Sequence, residues 1–246
     1  MNGRAHATNR TRENGTIMPK TVGILGGMGP KSTVELMHKI IDRTPAQKDQ
    51  DHIRILVDNR PQIPDRTNFI LGNGPSPLSM MQDSVQMLEK WGAEMVAIAC
   101  NTAHYFVDDI QRVVTIPVIN MIELLSCHLN RTHTQDQPVL LLATTGSLKI
   151  NLFQKYLKGF ELVIPQENIQ RNMIMEAIYE VKANGNNASS QRKILDEIDS
   201  LSAHKPVCVI AGCTEISIAL QGITSKIPII NPLDLLADDI VERAFA

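Results

Sequence analysis

The sequence predicts an α/β protein of two similar lobes, each a parallel sheet flanked by helices, related by a pseudo-twofold with a site between them. Apolar, β-branched runs alternate with segments of helical period, the pattern of a parallel sheet covered on both faces. The chain also repeats itself. "VAIACNTAHYFVDDIQRVVTIPVINMIELL" (96–125) resembles "CVIAGCTEISIALQGITSKIPIINPLDLL" (208–236): strand, cysteine, a nearby threonine, then Ile-Pro-Val/Ile-Ile-Asn and a helix start. The openings of the halves correspond too, "TVGILGGMGPKS" (21–32) with "PVLLLATTGSLK" (138–149).

In chain order, residues 1–19 read as a disordered tail. "TVGILGG" (21–27) is a strand leading into a helix whose apolar stripe is Val34, Met37, Ile40 and Ile41. "IRILVDN" (53–59) is a second strand, and residues 77–92 form a helix that Gly92 ends before the strand "MVAIAC". In the second half, residues 168–185 form a long helix, followed by a polar loop "GNNASSQ" (185–191) and a further helix. The first lobe is expected to span 20–120, joined by the C-terminal helix at about 232–246, and the second lobe 121–231.

Composition excludes several classes. Residues 1–20 hold four of the 24 basic residues and one of the 26 acidic ones, so the body is more acidic than the net charge of −2 suggests. Such a body is not that of a nucleic-acid binder. No apolar run approaches the roughly 18 residues of a membrane span, and the first twenty residues lack the apolar core of a secretory signal. Four scattered cysteines in 246 residues form no disulfide framework, which points to a reducing, cytoplasmic setting.

Cys100 and Cys213 stand in matching places, at a strand end just before a helix start. If the lobes face each other through the carboxyl ends of their strands, both thiols approach one cleft from opposite sides. A helix N-terminus can lower a thiol pKa from roughly 8.5, so one thiolate and one thiol could coexist. Such a pair removes a proton from one face of a carbon and returns another to the opposite face, which is racemisation. Backbone amides of "GGMGP" and "TTGS" could hold a substrate carboxylate. A cysteine at a strand end is often an inert core residue; the duplication argues against that for these two. Cys208, inside "PVCVIAG", and Cys127, in "IELLSCHL", lack the pattern and read as core.

At these residues the chain resembles the aspartate/glutamate racemase family, in its aspartate racemase branch. The matching pieces are "GILGGMGPKST", "NRPQIPDRT" (59–67), "CNTAH" (100–104), "IPVIN", "AIYEVK" (177–182) and "GCTE" (212–215), in order over nearly the whole chain. Leu25-Gly26-Gly27 and Glu215 stand where glutamate racemases carry Asp-Ser-Gly and a histidine. The resemblance implies a homodimer, an amino-acid substrate with aspartate foremost, no cofactor and a two-base mechanism. Cys100 and Cys213 are then the acid/base pair. Asn101, Thr102, Ala103, Thr145 and Thr214 would hold the substrate, and Arg66, with Gln62 on its loop, would meet the side-chain carboxylate. Lys182 would be the second cation. Met28, His104 and Glu215 would support the site, the last two by orienting the thiols or by capping structure. As isolated residues, Arg66 and Lys182 could equally be solvated surface charges. Lys31-Ser32 departs from the smaller or apolar pair usual in relatives and could alter the cleft's edge.

Hydantoin racemases, maleate isomerases and arylmalonate decarboxylases use cysteines in a similar cleft, and broad amino-acid or glutamate racemisation is also open. A dinucleotide site fails on "GILGGMG", because Ser32 occupies the third glycine position. Cys100-x-x-x-His104 has no second ligand pair for a metal, so none is expected. A non-catalytic amino-acid-binding module would share the cleft without needing two thiols.

Overall fold

The computed structural model describes residues 18–246. All but the last two positions of the expected tail lie outside the described residues. Strands β1 (Val22–Gly26), β2 (Ile55–Asn59), β3 (Met95–Ile98) and β4 (Val118–Ile119) form one parallel sheet in the order β2-β1-β3-β4. Strands β5 (Pro138–Ala143), β6 (Glu161–Val163), β7 (Val209–Gly212) and β8 (Ile229–Ile230) form a second in the order β6-β5-β7-β8. The two orders are identical when the halves are matched strand for strand, as the repeat in the sequence requires.

The first-half helices are α1 (Pro30–Arg43), α2 (Arg66–Ile70), α3 (Leu78–Lys90), α4 (Val107–Gln111) and α5 (Met121–Thr132). The second half contributes α6 (Thr145–Lys149), α7 (Leu152–Tyr156), α8 (Glu167–Ile169), α9 (Met175–Asn184), α10 (Ala188–Leu201), α11 (Thr214–Ala219) and α12 (Pro232–Phe245). A π-helical turn over Gln170–Ile174 links α8 to α9, so the long helix expected over 168–185 is continuous but locally widened. Gly185, at φ +78°, ends it.

The central strands are buried throughout because helices cover both faces. Val22 and Ile24 pack under Leu36 and Ile40 of α1 and Leu236 and Ile240 of α12, while Leu25, Val96 and Ile98 meet Val85 and Leu88 of α3. In the second sheet, Leu140 and Val209 pack against Ile178 and Val181 of α9, and Leu141 and Ile210 against Ile122, Leu125 and Leu129 of α5. Thus α5 leaves the first sheet to cover the second, and α12 leaves the second to cover the first. The repeated Ile-Pro-x-Ile-Asn motif starts both crossings. The side chain of Asn120 accepts from the Ile122 and Glu123 amides, and that of Asn231 from Leu233.

Three local expectations are corrected. The stripe of α1 is misplaced: Val34, Met37 and Ile41 are exposed, and Ser32, Thr33, Leu36 and Ile40 face inward. The reason is a close approach, since a Cβ on Gly26 would lie 2.4 Å from Thr33 Cγ2, so the helix must present small side chains to the end of β1. The loop expected over 185–191 is already helical from Ala188, because the Asn187 side chain caps α10 through the Ser190 amide. Cys127 is exposed on α5, whereas Cys208 is fully buried as expected. Among the described residues, no helix is long and apolar enough to cross a membrane.

Candidate active site

Each sheet delivers its cysteine from the carboxyl end of its third strand. Cys100 follows β3 and precedes a 3₁₀ turn at Thr102–Phe106, and Cys213 follows β7 as the residue capping α11. Both are buried, and both line one small inner cavity together with Met28, Asn101, Thr102, Thr144 and Thr214. That cavity, about 10 Å³, holds roughly one water. Beyond it lies an outer cavity of about 410 Å³. Among the described residues, four line both: Asp65, Arg66, Lys182 and Glu215. The throat to the thiols is therefore built from two cations and two carboxylates.

The two thiols have different surroundings. Cys213 Sγ donates to Glu215 Oε2 at 3.0 Å, which also accepts from Thr214 Oγ1 at 3.2 Å. Ser32 Oγ, from the first half, donates to Thr214 Oγ1 at 2.7 Å. Burial first, then the Glu215 charge, pushes the Cys213 thiol well above its usual pKa, although Lys182 pulls the other way. The expectation that a helix start would acidify this cysteine is thus corrected, because α11 is one short turn-and-a-half whose field loses to desolvation and a neighbouring carboxylate. Around Cys100, Thr102 Oγ1 forms a triangle with Thr144 Oγ1 (3.0 Å) and Ser147 Oγ (3.1 Å), again joining the halves. Asn101, 2% exposed, has neither its amide oxygen nor its nitrogen hydrogen-bonded among the described residues. A buried side-chain amide left open on both sides is costly unless a ligand or a water completes it.

The remaining expected residues sort by position. Arg66 is no solvated surface charge: it is buried, with Nη1 on the Ile63 and Pro64 carbonyls and Nη2 on that of Met28 at 2.9 Å. Its buried Nε has no hydrogen-bond partner among the described residues. Lys182 Nζ lies 3.8 Å from Asp65 Oδ2 across the throat. Burial opposes the Lys182 charge, but nearby anions, Glu215 foremost, outweigh it and raise its pKa. Gln62 is exposed and absent from the lining, although its neighbours Pro61 and Ile63 belong to it. Ala103 is a core residue packed with Phe106 and Ile110. Thr145 is also outside both linings; its amide donates to Met175 Sδ, and Thr144 takes the inward place. Asp65 and Thr67 were overlooked, though "PDRT" contained the signal: Asp65, Arg66 and Thr67 all line the inner cavity.

Two amides of the glycine turns are already engaged, Gly27 by Thr33 Oγ1 and Ser147 by Thr144 Oγ1, so they are not open to a carboxylate. Gly27 must be glycine, since φ is +86° and a Cβ would come within 2.3 Å of Arg60.

His104 proves to be a brace. Its Nε2 accepts from the Met121 amide at 3.1 Å, so Nδ1 carries the hydrogen and donates to the Cys100 carbonyl at 2.8 Å. With both nitrogens held by backbone it is not free to ligate a metal. Burial lowers its pKa from 6.5 to about 4. Between those values the unfolded chain binds a proton that the folded one refuses, so stability present above pH 6.5 is lost as pH falls towards 4. The loss is on the order of 3 kcal/mol. Replacing His104 by Gln is expected to flatten the acid limb by about that much, measured as urea unfolding free energy at pH 7 and pH 4. An unchanged slope would show that the imidazole does not carry it.

The Asp/Glu/Hydantoin racemase family profile matches residues 25–240. The chain belongs to this family. As such it is an isomerase of the amino-acid racemase kind. It is 27% identical to the broad specificity amino-acid racemase RacX of Bacillus subtilis, over 92% of this chain and 98% of that one. The Picrophilus torridus aspartate racemase superposes with a TM-score of 0.82 at 31% identity, covering 92% of this chain and 94% of that one. An aspartate racemase homologue from Pyrococcus horikoshii OT3 shares the fold, with a TM-score of 0.71 at 24% identity over 92% of this chain and 99% of that one.

Proposed function

We propose that this racemase interconverts the enantiomers of aspartate, using Cys100 and Cys213 as its two proton-transfer groups. The observation that carries the reading is that both thiols, one from each sheet, line a single cavity beside the open amide of Asn101. In this reading Cys100 acts as base towards the enantiomer whose α-hydrogen faces it, while Cys213, its Sγ donating to Glu215, holds the proton to be delivered. Cys213 then protonates the opposite face, and the roles reverse for the other enantiomer. Asn101, Thr102 and Thr214 offer hydrogen bonds to the substrate's amino and carboxylate groups and to the charge that develops as the α-proton leaves. The thiols perform both transfers themselves, so the reading calls for no cofactor.

The preference for aspartate rests on the throat, where Arg66 and Lys182 can meet a second carboxylate, and on the likeness to the Picrophilus enzyme. The inner cavity is too small for an α-carbon and its substituents as it stands. Entry therefore calls for the cavity to widen, and the hydrogen bonds between the halves that border it, Ser32–Thr214 and Thr102–Thr144, are the contacts such a widening would part. The reading extends to a homodimer in the cytoplasm, a compartment that keeps thiols reduced.

A second reading, broad specificity, is favoured by the large outer cavity and by the likeness to RacX. Incubating the purified protein with single L- and D-amino acids, followed by chiral chromatography, separates the two. Aspartate is expected to convert about a hundredfold faster than neutral amino acids, the discrimination of one charge-assisted contact of about 3 kcal/mol. Comparable rates across the panel would select the second reading, and no conversion of any amino acid would refute both.

A further inference from the structure

A two-thiol turnover leaves the free enzyme in the wrong state for the next one. Cys100 has gained the substrate's proton and Cys213 has lost its own, so a net run in one direction requires Cys213 to be reprotonated from solvent. Cys213 is only 5% exposed, and its inner cavity has space for about one water. Something must carry the proton in.

We propose that Glu215 is the proton relay of Cys213, passing protons between its thiol and water in the outer cavity. The inference rests on the two-thiol reading and goes beyond it. Glu215 Oε2 is 3.0 Å from Cys213 Sγ, while Oε1 lies where a Cβ on Gly29, an outer-cavity residue, would meet it at 3.3 Å. One carboxylate thus faces the thiol with one oxygen and the outer cavity with the other. The protons balance simply. Glu215 takes a proton from water in the outer cavity, and the hydroxide left behind is neutralised in solvent by the proton that Cys100 gives up; the O–H bond of Glu215 then breaks as the S–H bond of Cys213 forms, and the carboxylate is regenerated. Two adjacent anions, Cys213 thiolate and Glu215, supply the drive for that uptake. The other throat carboxylate, Asp65, is engaged elsewhere, by the Asn68 amide and Lys182. On the Cys100 side, the residues following the thiol are Asn101, Thr102, Ala103 and the locked His104, none of them a carboxylate.

The test compares two rates in one variant. Glu215→Gln keeps the size of the side chain and an oxygen to accept from the thiol, but cannot carry a proton. Net racemisation from one enantiomer at saturating aspartate needs the relay on every turnover. Exchange of a labelled tracer in an already racemic mixture does not, because the reverse reaction resets the thiols. The ratio of net to tracer rate is therefore expected to fall by about tenfold or more in Glu215→Gln, and to fall further as aspartate is raised. Glu215→Asp keeps a titrating oxygen set back by one methylene, so its ratio should lie between Gln and wild type; it carries the test if the Gln variant does not fold. A ratio equal to wild type in a folded variant overturns the relay, even if both rates drop, since a merely structural loss lowers them together. Failure of the two-thiol reading has a separate sign: net racemisation would survive in Cys213→Ala.

Discussion

Cys100→Ala and Cys213→Ala are each expected to lower racemisation by about a thousandfold or more, the scale of a lost general acid or base, with the fold retained. On the two-thiol proposal each turnover needs both thiols, one to receive the α-proton and one to supply its replacement, so neither can stand in for the other. The double variant should be scarcely slower than either single one, because the pair acts as a unit. Folding should tolerate the changes: both side chains already border a cavity, and a truncation there costs about 1 kcal/mol. Glu215, deprived of the Cys213 thiol, keeps the hydroxyl of Thr214. Chiral chromatography of aspartate, with circular dichroism to verify folding, checks the set. Substantial racemisation by either variant would remove that thiol from the chemistry.

Arg66→Ala is expected to suppress turnover of aspartate far more than that of neutral amino acids, by about a hundredfold in the ratio of their kcat/KM values. That is the worth of a charge-assisted hydrogen bond of about 3 kcal/mol. The guanidinium is also a structural tie to Ile63, Pro64 and Met28, so its removal will slow every substrate to some degree. For this reason the ratio is the informative quantity. Arg66→Lys should restore little of it, since an ammonium cannot reproduce a fork already spread over three carbonyls. Equal losses on aspartate and on alanine would take Arg66 out of substrate selection.

Much of this was legible in the sequence because the signals were redundant. A strand buried on both faces must be apolar at every position, so "VGILG", "MVAI", "PVLLLA" and "VIAG" stood out, and the duplication located Cys100 and Cys213 twice over. The Ile-Pro-x-Ile-Asn repeat was visible, but its purpose, capping the helix that each half lends to the other, required the packing. Errors arose where period or proximity in sequence was ambiguous. Residues 32–41 fit two helical stripes, and only the close approach of Gly26 to Thr33 decides which is inward. Thr144 and Thr145 differ by one position, and the cap on α6 turns the first inward. Gln62 shares a loop with Arg66, but neighbours on a loop need not face the same way. The electrostatics of Cys213 was beyond reach, because burial and the Glu215 contact are properties of the folded chain.

The paired-thiol mechanism is tested most directly by the fate of the α-hydrogen in D₂O, followed at early conversion of a single enantiomer by mass spectrometry after chiral separation. On the two-thiol proposal each enantiomer loses its proton to one thiol and receives its new one from the other, which has exchanged with solvent before substrate binds. Deuterium should therefore appear in the newly formed enantiomer, with little in the recovered starting material. Early deuterium spread evenly over both enantiomers would contradict two thiols acting from opposite faces, since that is the pattern of one base serving both.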